Sequence, residues 1–245
     1  DINNKVLFNN SYKLTYNQEL SFHLILKNIS KFLELFYLII KNFFEFNEKL
    51  DEAILEPVAD TYDVVVPEVA QTGFINFVKN AESPINIVNL FLQGRPIDSL
   101  ESLLNFSINS TIGILGIFDP ASKMGLKTYD EDFGQTLGIW GFKDGSYWMT
   151  PVLGPFTTRH SVGDIIDNLF NPLTYIDNGA SRYGIKILDK IQERSDLSPL
   201  EDELYGSYDP YQYLRDSYLD NRKFKLKNGQ VDEVEDFDEI DFEDF

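Results

Sequence analysis

The chain has 245 residues and no cysteine, which excludes disulfides, thiol catalysis and thiolate metal sites. It carries 40 acidic residues against 21 lysines and arginines, for a net charge of −19. Because so acidic a surface repels phosphates, the composition argues against a nucleic-acid partner. No run of apolar residues reaches the length that a membrane-spanning helix needs.

The first predicted helix lies between Lys31 and Glu56. Large apolar residues recur there at alternating steps of four and three, which is the spacing of one helical face. They are Phe32, Phe36, Ile39, Phe43, Phe46, Leu50 and Ala53. A wide phenylalanine face beside a narrow charged line is typical of a helix in a membrane interface, and equally of the central helix of a globular core. The pattern leaves both interpretations open.

Proline, glycine and cap residues predict the next helices. Three consecutive valines in Thr61–Val66 favour a strand, but the helical signals on both sides lead us to predict a helix. Pro67 is expected to open another helix. Ser83 followed by proline predicts a further helix start, and Gly94 is placed to end that helix.

The second half of the chain continues this pattern. Ser or Asp three residues before an acidic residue predicts a capping box at the start of a helix. Helix starts are therefore expected at Asp98, Ser161 and Asp209, the last of these from its following proline. Many capped helices with short joints favour an all-α domain.

No catalytic or metal site is predicted. His23 and His160 are far apart in sequence and have no cluster of ligands near them. Glu131 and Asp132 could act as an acid and a base, and His160 with Asp164 could resemble a charge relay. Neither pair is accompanied by a nucleophile in a recognisable turn, so we predict no catalytic residue, no metal and no cofactor.

The C-terminal residues 232–245 hold nine carboxylates and no base. Mutual repulsion is expected to keep such a tail extended and mobile. A docking peptide for a basic partner and a sink for divalent cations are the alternatives.

Several motifs occur together between residues 39 and 225. The most specific is Glu131-Asp-Phe-Gly-Gln-Thr-Leu-Gly138, followed by Trp140-Gly141. Others are Phe46-Asn47, Pro57-Val58-Ala59, Leu92-Gln93-Gly94, Asn109-Ser-Thr-Ile-Gly113, Leu153-Gly154-Pro155 and Asp209-Pro-Tyr211. Their order and spacing resemble the MlaA (VacJ) family of phospholipid-transport outer-membrane lipoproteins.

The resemblance implies an all-α fold, namely a ring-like single domain of amphipathic helices around a central channel. It implies a location in the inner, periplasmic leaflet of a Gram-negative outer membrane. The channel would pass mislocalised outer-leaflet phospholipids toward the periplasm and so maintain lipid asymmetry. Implied partners are phospholipids, a trimeric outer-membrane porin and the periplasmic phospholipid carrier MlaC, with no nucleic acid.

The resemblance also divides the chain. Residues 31–228 are expected to form the MlaA-like helical domain, which an N-terminal segment of uncertain role (residues 1–30) precedes and the acidic tail (residues 229–245) follows. Lipid-facing residues of the first helix are expected at Phe36, Ile39, Phe43, Phe44 and Phe46.

The lipid channel and its gate are expected at seven positions. Four belong to the segment that begins at the last residue of the Asn109–Gly113 motif, namely Gly113, Gly116, Phe118 and Asp119. The other three are the basic residues Lys41, Arg159 and Arg182. We expect the two glycines to act as hinges and Phe118 as a plug. Valine at either glycine would then change lipid flow without unfolding the protein.

Two other classes of function remain open from the sequence. One is a peripheral membrane enzyme that acts on lipids or envelope polymers, and the other is a scaffolding lipoprotein without transport activity. A continuous internal channel with an apolar exterior would favour transport. A closed pocket lined by a buried Glu131 or His160 with a perturbed pKa would favour the enzyme.

Overall fold

A computed structural model describes the backbone of residues 2–230, with side chains for residues 23, 25–201 and 203–230. The acidic residues 232–245 lie outside this part of the chain. The described residues form two units, one of residues 2–49 and 149–154 and the other of residues 50–148 and 155–230. The predicted boundary between residues 30 and 31 lies inside a continuous helix.

The first unit contains helix α1 (Ile2–Leu50) and the tip of a hairpin. The hairpin strands are β1 (Tyr147–Thr150) and β2 (Gly154–Thr157). Asn47 fixes the tip to the helix, because its Nδ2 donates to the Thr150 carbonyl at 2.9 Å and its Oδ1 accepts from Val152 N at 2.8 Å. Asn47, which belongs to one of the sequence motifs, therefore has a structural role within this unit.

Within residues 50–148 and 155–230, the regular structure of the second unit is helical except for the bases of the hairpin strands. A π-helical turn (Asp51–Leu55) leads into its first helix, and 3₁₀ turns lie at Pro172–Tyr175 and Ser198–Leu200. Its helices are α2 (Glu56–Val65), α3 (Glu68–Leu92), α4 (Pro96–Thr111), α5 (Pro120–Lys123), α6 (Phe133–Ile139), α7 (Thr158–Asp167), α8 (Gly179–Leu197), α9 (Glu201–Gly206) and α10 (Pro210–Leu226). The predicted all-helical character is confirmed, with the short hairpin as an addition.

Four local predictions about helices are confirmed. The Thr61–Val66 segment is helical up to Val65, and helix α3 begins directly after Pro67. Gly94 ends α3 with a φ of 78°, and the Arg95 N–H donates to the Leu90 carbonyl at 2.9 Å, which completes a Schellman motif. Asp209 caps α10 by accepting from Gln212 N.

Three predicted helix starts are wrong because the cap residues use their side chains elsewhere. Ser83 lies inside α3, where its hydroxyl donates to the Lys79 carbonyl one turn back. Asp98 lies in the first turn of α4 and pairs with Arg95 instead of capping the helix. Ser161 lies inside α7, which Thr157 caps.

Helix length and hydropathy together decide whether a helix can cross a membrane. None of the helices in residues 2–230 is both long and apolar enough to cross one.

Candidate functional site

Polar and apolar side chains are distributed in this protein in the opposite way to a soluble protein, in which apolar side chains are buried. Among the described residues, fourteen polar or charged side chains are buried, against ten apolar ones. Large apolar side chains are meanwhile exposed, for example Val64 at 87%, Ile97 at 79% and Ile165 at 70%. Extensive apolar surface marks a site of contact with membrane or protein. A polar interior and an apolar exterior together suit an environment of lipid tails.

Helix α4 shows this inversion most clearly. Its buried residues, at steps of three and four, are all polar: Ser99, Ser102, Asn105 and Asn109. Its exposed residues include Ile97, Leu100 and Leu104, of which the last two are 61% and 56% exposed. The helix is amphipathic, but the polar stripe faces the protein and the apolar stripe faces outward.

A cavity of about 380 Å³ opens between α3, α4, α8 and the loop of residues 127–130, all within the second unit. This volume is in the range of small-molecule binding sites. Of the sixteen residues that line it, only Ile75 and Val78 are aliphatic. The polar stripe of α4 reaches it through Ser102 and Asn105.

Carboxylates dominate the charge of the cavity. They are Glu82, Asp130, Asp189, Glu193 and Asp196, against Lys79 and Lys127. Burial, and then the negative charges of Asp189, Asp130 and Glu193, raise the pKa of Glu82 to about 7. Burial and Glu193 likewise raise the pKa of Asp189 above its usual value. The cavity is therefore an environment that favours a positively charged occupant.

A buried polar network holds α3, α6 and α7 together. Asn89 donates to Asp167 Oδ1 at 2.9 Å and accepts from the Thr136 hydroxyl at 2.8 Å. Asp167 Oδ2 accepts from Phe133 N at 2.8 Å. Because its polar atoms satisfy one another, the network can stand where a soluble protein would place an apolar core.

A buried ion pair extends this network to α10. Arg222 donates to both oxygens of Asp132, at 2.6 and 2.9 Å, and only 5% of Arg222 is exposed. Asp132 also caps α6 by accepting from Gln135 N. Burial raises the pKa of Asp132, but the hydrogen bond and charge of Arg222 outweigh it, and the pKa falls well below its usual range.

The two groups that could have indicated an enzyme are engaged elsewhere. Glu131 is buried and accepts from Arg95 and from Gln93, at 2.7 and 3.0 Å. His160 Nδ1 lies 2.8 Å from the Tyr218 hydroxyl, and burial and Arg222 lower the pKa of His160. Neither residue lines the cavity, so the condition set above for an enzyme is not met there.

The expected gate segment, between α4 and α5, is a tightly bonded turn. The Gly116 N–H donates to the Asn109 carbonyl at 2.8 Å, and the Phe118 N–H donates to the Gly113 carbonyl at 2.9 Å. Ile114 and Leu115 have positive φ angles of 54° and 59°, which are costly for such side chains. The turn is thus held by its base, while strain is concentrated at its exposed tip.

The expectation that valine at Gly113 or Gly116 would spare the fold is wrong. A Cβ on Gly113 would lie 2.3 Å from the Phe118 carbonyl oxygen and 2.5 Å from that of Asn109. A Cβ on Gly116 would lie 2.3 Å from the Cβ of Asn80. Both glycines are sites of close packing.

The other expected gate residues differ in exposure. Phe118 is 56% exposed. Asp119 caps α5 and accepts from Ser122 N and Asn109 Nδ2. Burial raises the pKa of Asp119, but these hydrogen bonds outweigh it and the pKa is lowered.

The three expected basic residues have different surroundings. Lys41 is half-buried on α1 in the first unit. Arg159 is 6% exposed, donates to the Phe142 carbonyl and lies 2.6 Å from Asp144. Arg182 donates to the Thr174 carbonyl and stands over the Tyr183 ring. Neither arginine lines the cavity, nor do the four residues expected at the gate.

The expected lipid-facing residues of α1 fall into two groups. Ile39, Phe43 and Phe46 are exposed and Phe36 is half-buried, but Phe44 is buried at 6%. Phe44 therefore does not present its ring at the surface of this unit, whereas the other four side chains are exposed or half-buried.

The sequence analysis missed Glu82, Asp189 and Gln192, which line the cavity. Because a helix was predicted to start at Ser83, Glu82 was not assigned to the polar face of α3, to which it belongs. Asp189 and Gln192 lie three residues apart on α8, a spacing that places both on one helical face. This spacing could have predicted that the two side chains lie on the same face of a helix.

Comparison with known proteins gives a consistent result. Residues 39–225 match the protein family described as MlaA lipoprotein. Relatives from Shigella flexneri and Escherichia coli strain K12, both called intermembrane phospholipid transport system lipoprotein MlaA, are 35% and 34% identical to the chain over 191 residues. Each match covers 77% of this chain and 75% of the relative.

A solved structure is also similar. It comes from work on the structural basis for maintenance of bacterial outer membrane lipid asymmetry. It superposes with a TM-score of 0.71 at 34% sequence identity, and the match covers 79% of this chain and 98% of that one.

Proposed function

Because this chain belongs to the MlaA lipoprotein family, we propose that it is the outer-membrane component of a retrograde phospholipid transport system. Its relatives are named as lipoproteins of an intermembrane phospholipid transport system. The protein would collect phospholipids that have strayed into the outer leaflet and pass them toward the periplasm. Lipid asymmetry of the outer membrane would be maintained in this way.

The inverted distribution of side chains carries this proposal. A phospholipid headgroup crosses hydrocarbon at a cost of several kcal/mol or more, because its charges lose their hydration. A polar interior such as the buried stripe of α4 and the cavity beside it lowers that cost. The exposed Ile97, Leu100 and Leu104 on the other side of α4 would keep the protein among lipid tails.

We further propose that the helices of this protein form a ring around a channel in the periplasmic leaflet, and that the cavity is part of the channel. Helix α1 would lie along the membrane interface with Phe36, Ile39, Phe43 and Phe46 among the lipid tails. Large apolar residues with a line of charges suit such a helix.

The gate is proposed at the turn of residues 113–119. Its base is held by hydrogen bonds from Gly116 and Phe118, so movement would be confined to the strained tip and the exposed Phe118 ring. Phe118→Ala leaves the base intact and is the appropriate variant for testing a plug.

Transfer through such a channel makes or breaks no covalent bond, so we propose that the protein is not an enzyme. A trimeric porin would hold it in the membrane, and the periplasmic carrier MlaC would accept the lipid. Direction would then come from the acceptor, since a channel lowers a barrier without favouring either side.

The function is tested by deleting the gene and measuring outer-leaflet phospholipid. We expect it to rise and to be restored by the wild-type chain. Ser102→Leu, which places an apolar group in the cavity, should fail to restore it at normal protein abundance. Ser107→Leu, on an exposed position of the same helix, should restore it. Unchanged outer-leaflet phospholipid after deletion would refute the function.

A further inference from the structure

Two carboxylates of the cavity have no partner among the described residues. Asp130 pairs with Lys225 at 2.6 Å, and Glu193 pairs with Lys190 at 2.5 Å. Within the described residues, neither Glu82 nor Asp189 makes a hydrogen bond or ion pair of this kind. They lie on two helices that line the cavity, α3 and α8. The charge of Asp189 contributes to raising the pKa of Glu82, after burial.

An unpartnered acceptor lies beside them. Gln192 lines the cavity, and only 5% of it is exposed. Its Nε2 donates to Asp196 Oδ1 at 3.0 Å, which fixes the orientation of the amide. Its buried Oε1 has no partner in the part of the chain that the structure describes. A buried carbonyl oxygen without a donor costs free energy, so a ligand that offers an N–H or O–H group to this atom would be favoured.

The chemistry of these groups identifies the kind of ligand. All three supply acceptors, two of them anionic when ionised. No group of three or more acidic or histidine side chains within the described residues is placed to hold a metal ion. An ammonium group carries both the positive charge and the N–H donors that the site lacks.

We propose that Glu82, Asp189 and Gln192 form a binding site for an organic ammonium, which in a phospholipid channel is the primary amine of an ethanolamine headgroup. This inference rests on the proposed function, in which lipid enters the cavity. It adds a preference among headgroups: zwitterionic phosphatidylethanolamine above anionic phosphatidylglycerol.

The preference should depend on pH. At pH 8 Glu82 is ionised and attracts the ammonium, whereas at pH 6 it is largely protonated because its pKa is about 7. The other charged groups around the cavity are Lys79 on α3, Lys127 and Asp130 in the loop, and Asp189, Lys190, Glu193 and Asp196 on α8, while α4 contributes only uncharged residues. The preference for phosphatidylethanolamine should therefore weaken as pH falls from 8 to 6.

The test measures lipid retention by the purified full chain in detergent. The chain is equilibrated with equal amounts of the two phospholipids, with matched acyl chains, and the bound lipids are quantified by mass spectrometry. We expect a preference for phosphatidylethanolamine of about tenfold, the order expected for a charge-assisted hydrogen bond. Glu82→Gln combined with Asp189→Asn should abolish it. Asp216→Asn combined with Asp220→Asn, which removes two carboxylates away from the cavity, should leave it unchanged.

The outcomes separate this inference from the function on which it rests. Retention of both lipids without a headgroup preference, or a preference that survives the Glu82 and Asp189 substitutions, would overturn the ammonium site and leave transport standing. Failure to retain any phospholipid would count against both. A second arm of the experiment adds soluble phosphoethanolamine at the same concentration as the lipid. If it displaces the bound lipid, the ammonium site is supported, but its ligand is a soluble amine. Displacement by magnesium instead would overturn it.

Discussion

The Asp132–Arg222 ion pair should be indispensable for the fold, and Asp132→Asn tests this. Arg222 donates to both carboxylate oxygens and is 5% exposed. Asparagine retains the shape but leaves a buried guanidinium without its counter-charge, which costs about 3–5 kcal/mol. In a protein of this length that corresponds to a fall in Tm of about 6–20 °C.

A double-mutant cycle with Arg222→Met separates the pair from its surroundings. Because the double variant buries no unpaired charge, its loss of stability should be smaller than the sum of the two single losses by about 1–3 kcal/mol. Arg215→Met is the matched control, since its pair with Asp216 is exposed and should contribute about 1 kcal/mol or less. The assay is thermal unfolding in detergent followed by circular dichroism.

The pH dependence of this pair has a definite sign. The pKa of Asp132 is lower in the folded protein than in the unfolded chain. The stabilisation by Asp132 is therefore complete above the ordinary pKa of about 3.9 and is lost as the pH falls below it.

If Asp132→Asn lowers Tm no more than Arg215→Met does, the pair does not hold the interior together.

Gly113→Val should abolish the folded fraction in size-exclusion chromatography because of its backbone clash, whereas Gly179→Val, with open space around its Cβ, should fold; folded Gly113→Val protein would contradict the packing described. Leu104→Lys should weaken membrane association by about 2–3 kcal/mol, seen as more protein released by carbonate washing, while Asn221→Lys at an exposed polar position should not; equal release would argue against a lipid-facing α4. Burial raises the pKa of Asp167 to about 6, so the free energy of unfolding should fall as the pH rises from about 4 to 6 and Asp167 ionises. Asp167→Asn should remove this part of the dependence of unfolding on pH. If the dependence is unchanged in the variant, Asp167 does not titrate in this range.

The sequence predicted those helix ends at which the end residue bonds to the backbone groups of its own helix end. Gly94 and Asp209 act on backbone groups within a few residues of themselves, so their roles follow from backbone geometry. Ser83 and Asp98 carry the same signals, but their partners are not the free N–H groups of a helix start. Ser83 donates to the Lys79 carbonyl inside a continuing helix, and Asp98 accepts from the Arg95 side chain. A cap residue whose side chain finds another partner cannot be recognised from spacing.

The cavity could not be predicted in the same way. Glu82 and Asp189 belong to helices that are far apart in sequence, and their proximity depends on tertiary packing. The inversion of α4 was within reach, because Ser99, Ser102, Asn105 and Asn109 repeat at helical spacing. Periodicity identifies two faces of a helix, but it does not say which face is buried when the surroundings are lipid instead of water.

The central claim is that the outside of the second unit meets lipid while its cavity meets water. Because the chain has no cysteine, a single introduced thiol reports on its own position. The suitable positions are Ser83, which lines the cavity, and Leu104, which is exposed on the apolar face of α4. The measurement is the rate at which a charged, membrane-impermeant thiol reagent modifies each variant in intact outer membranes. We expect fast modification of Ser83→Cys and protection of Leu104→Cys until detergent is added; fast modification of Leu104→Cys in intact membranes, or protection of Ser83→Cys, would contradict the account.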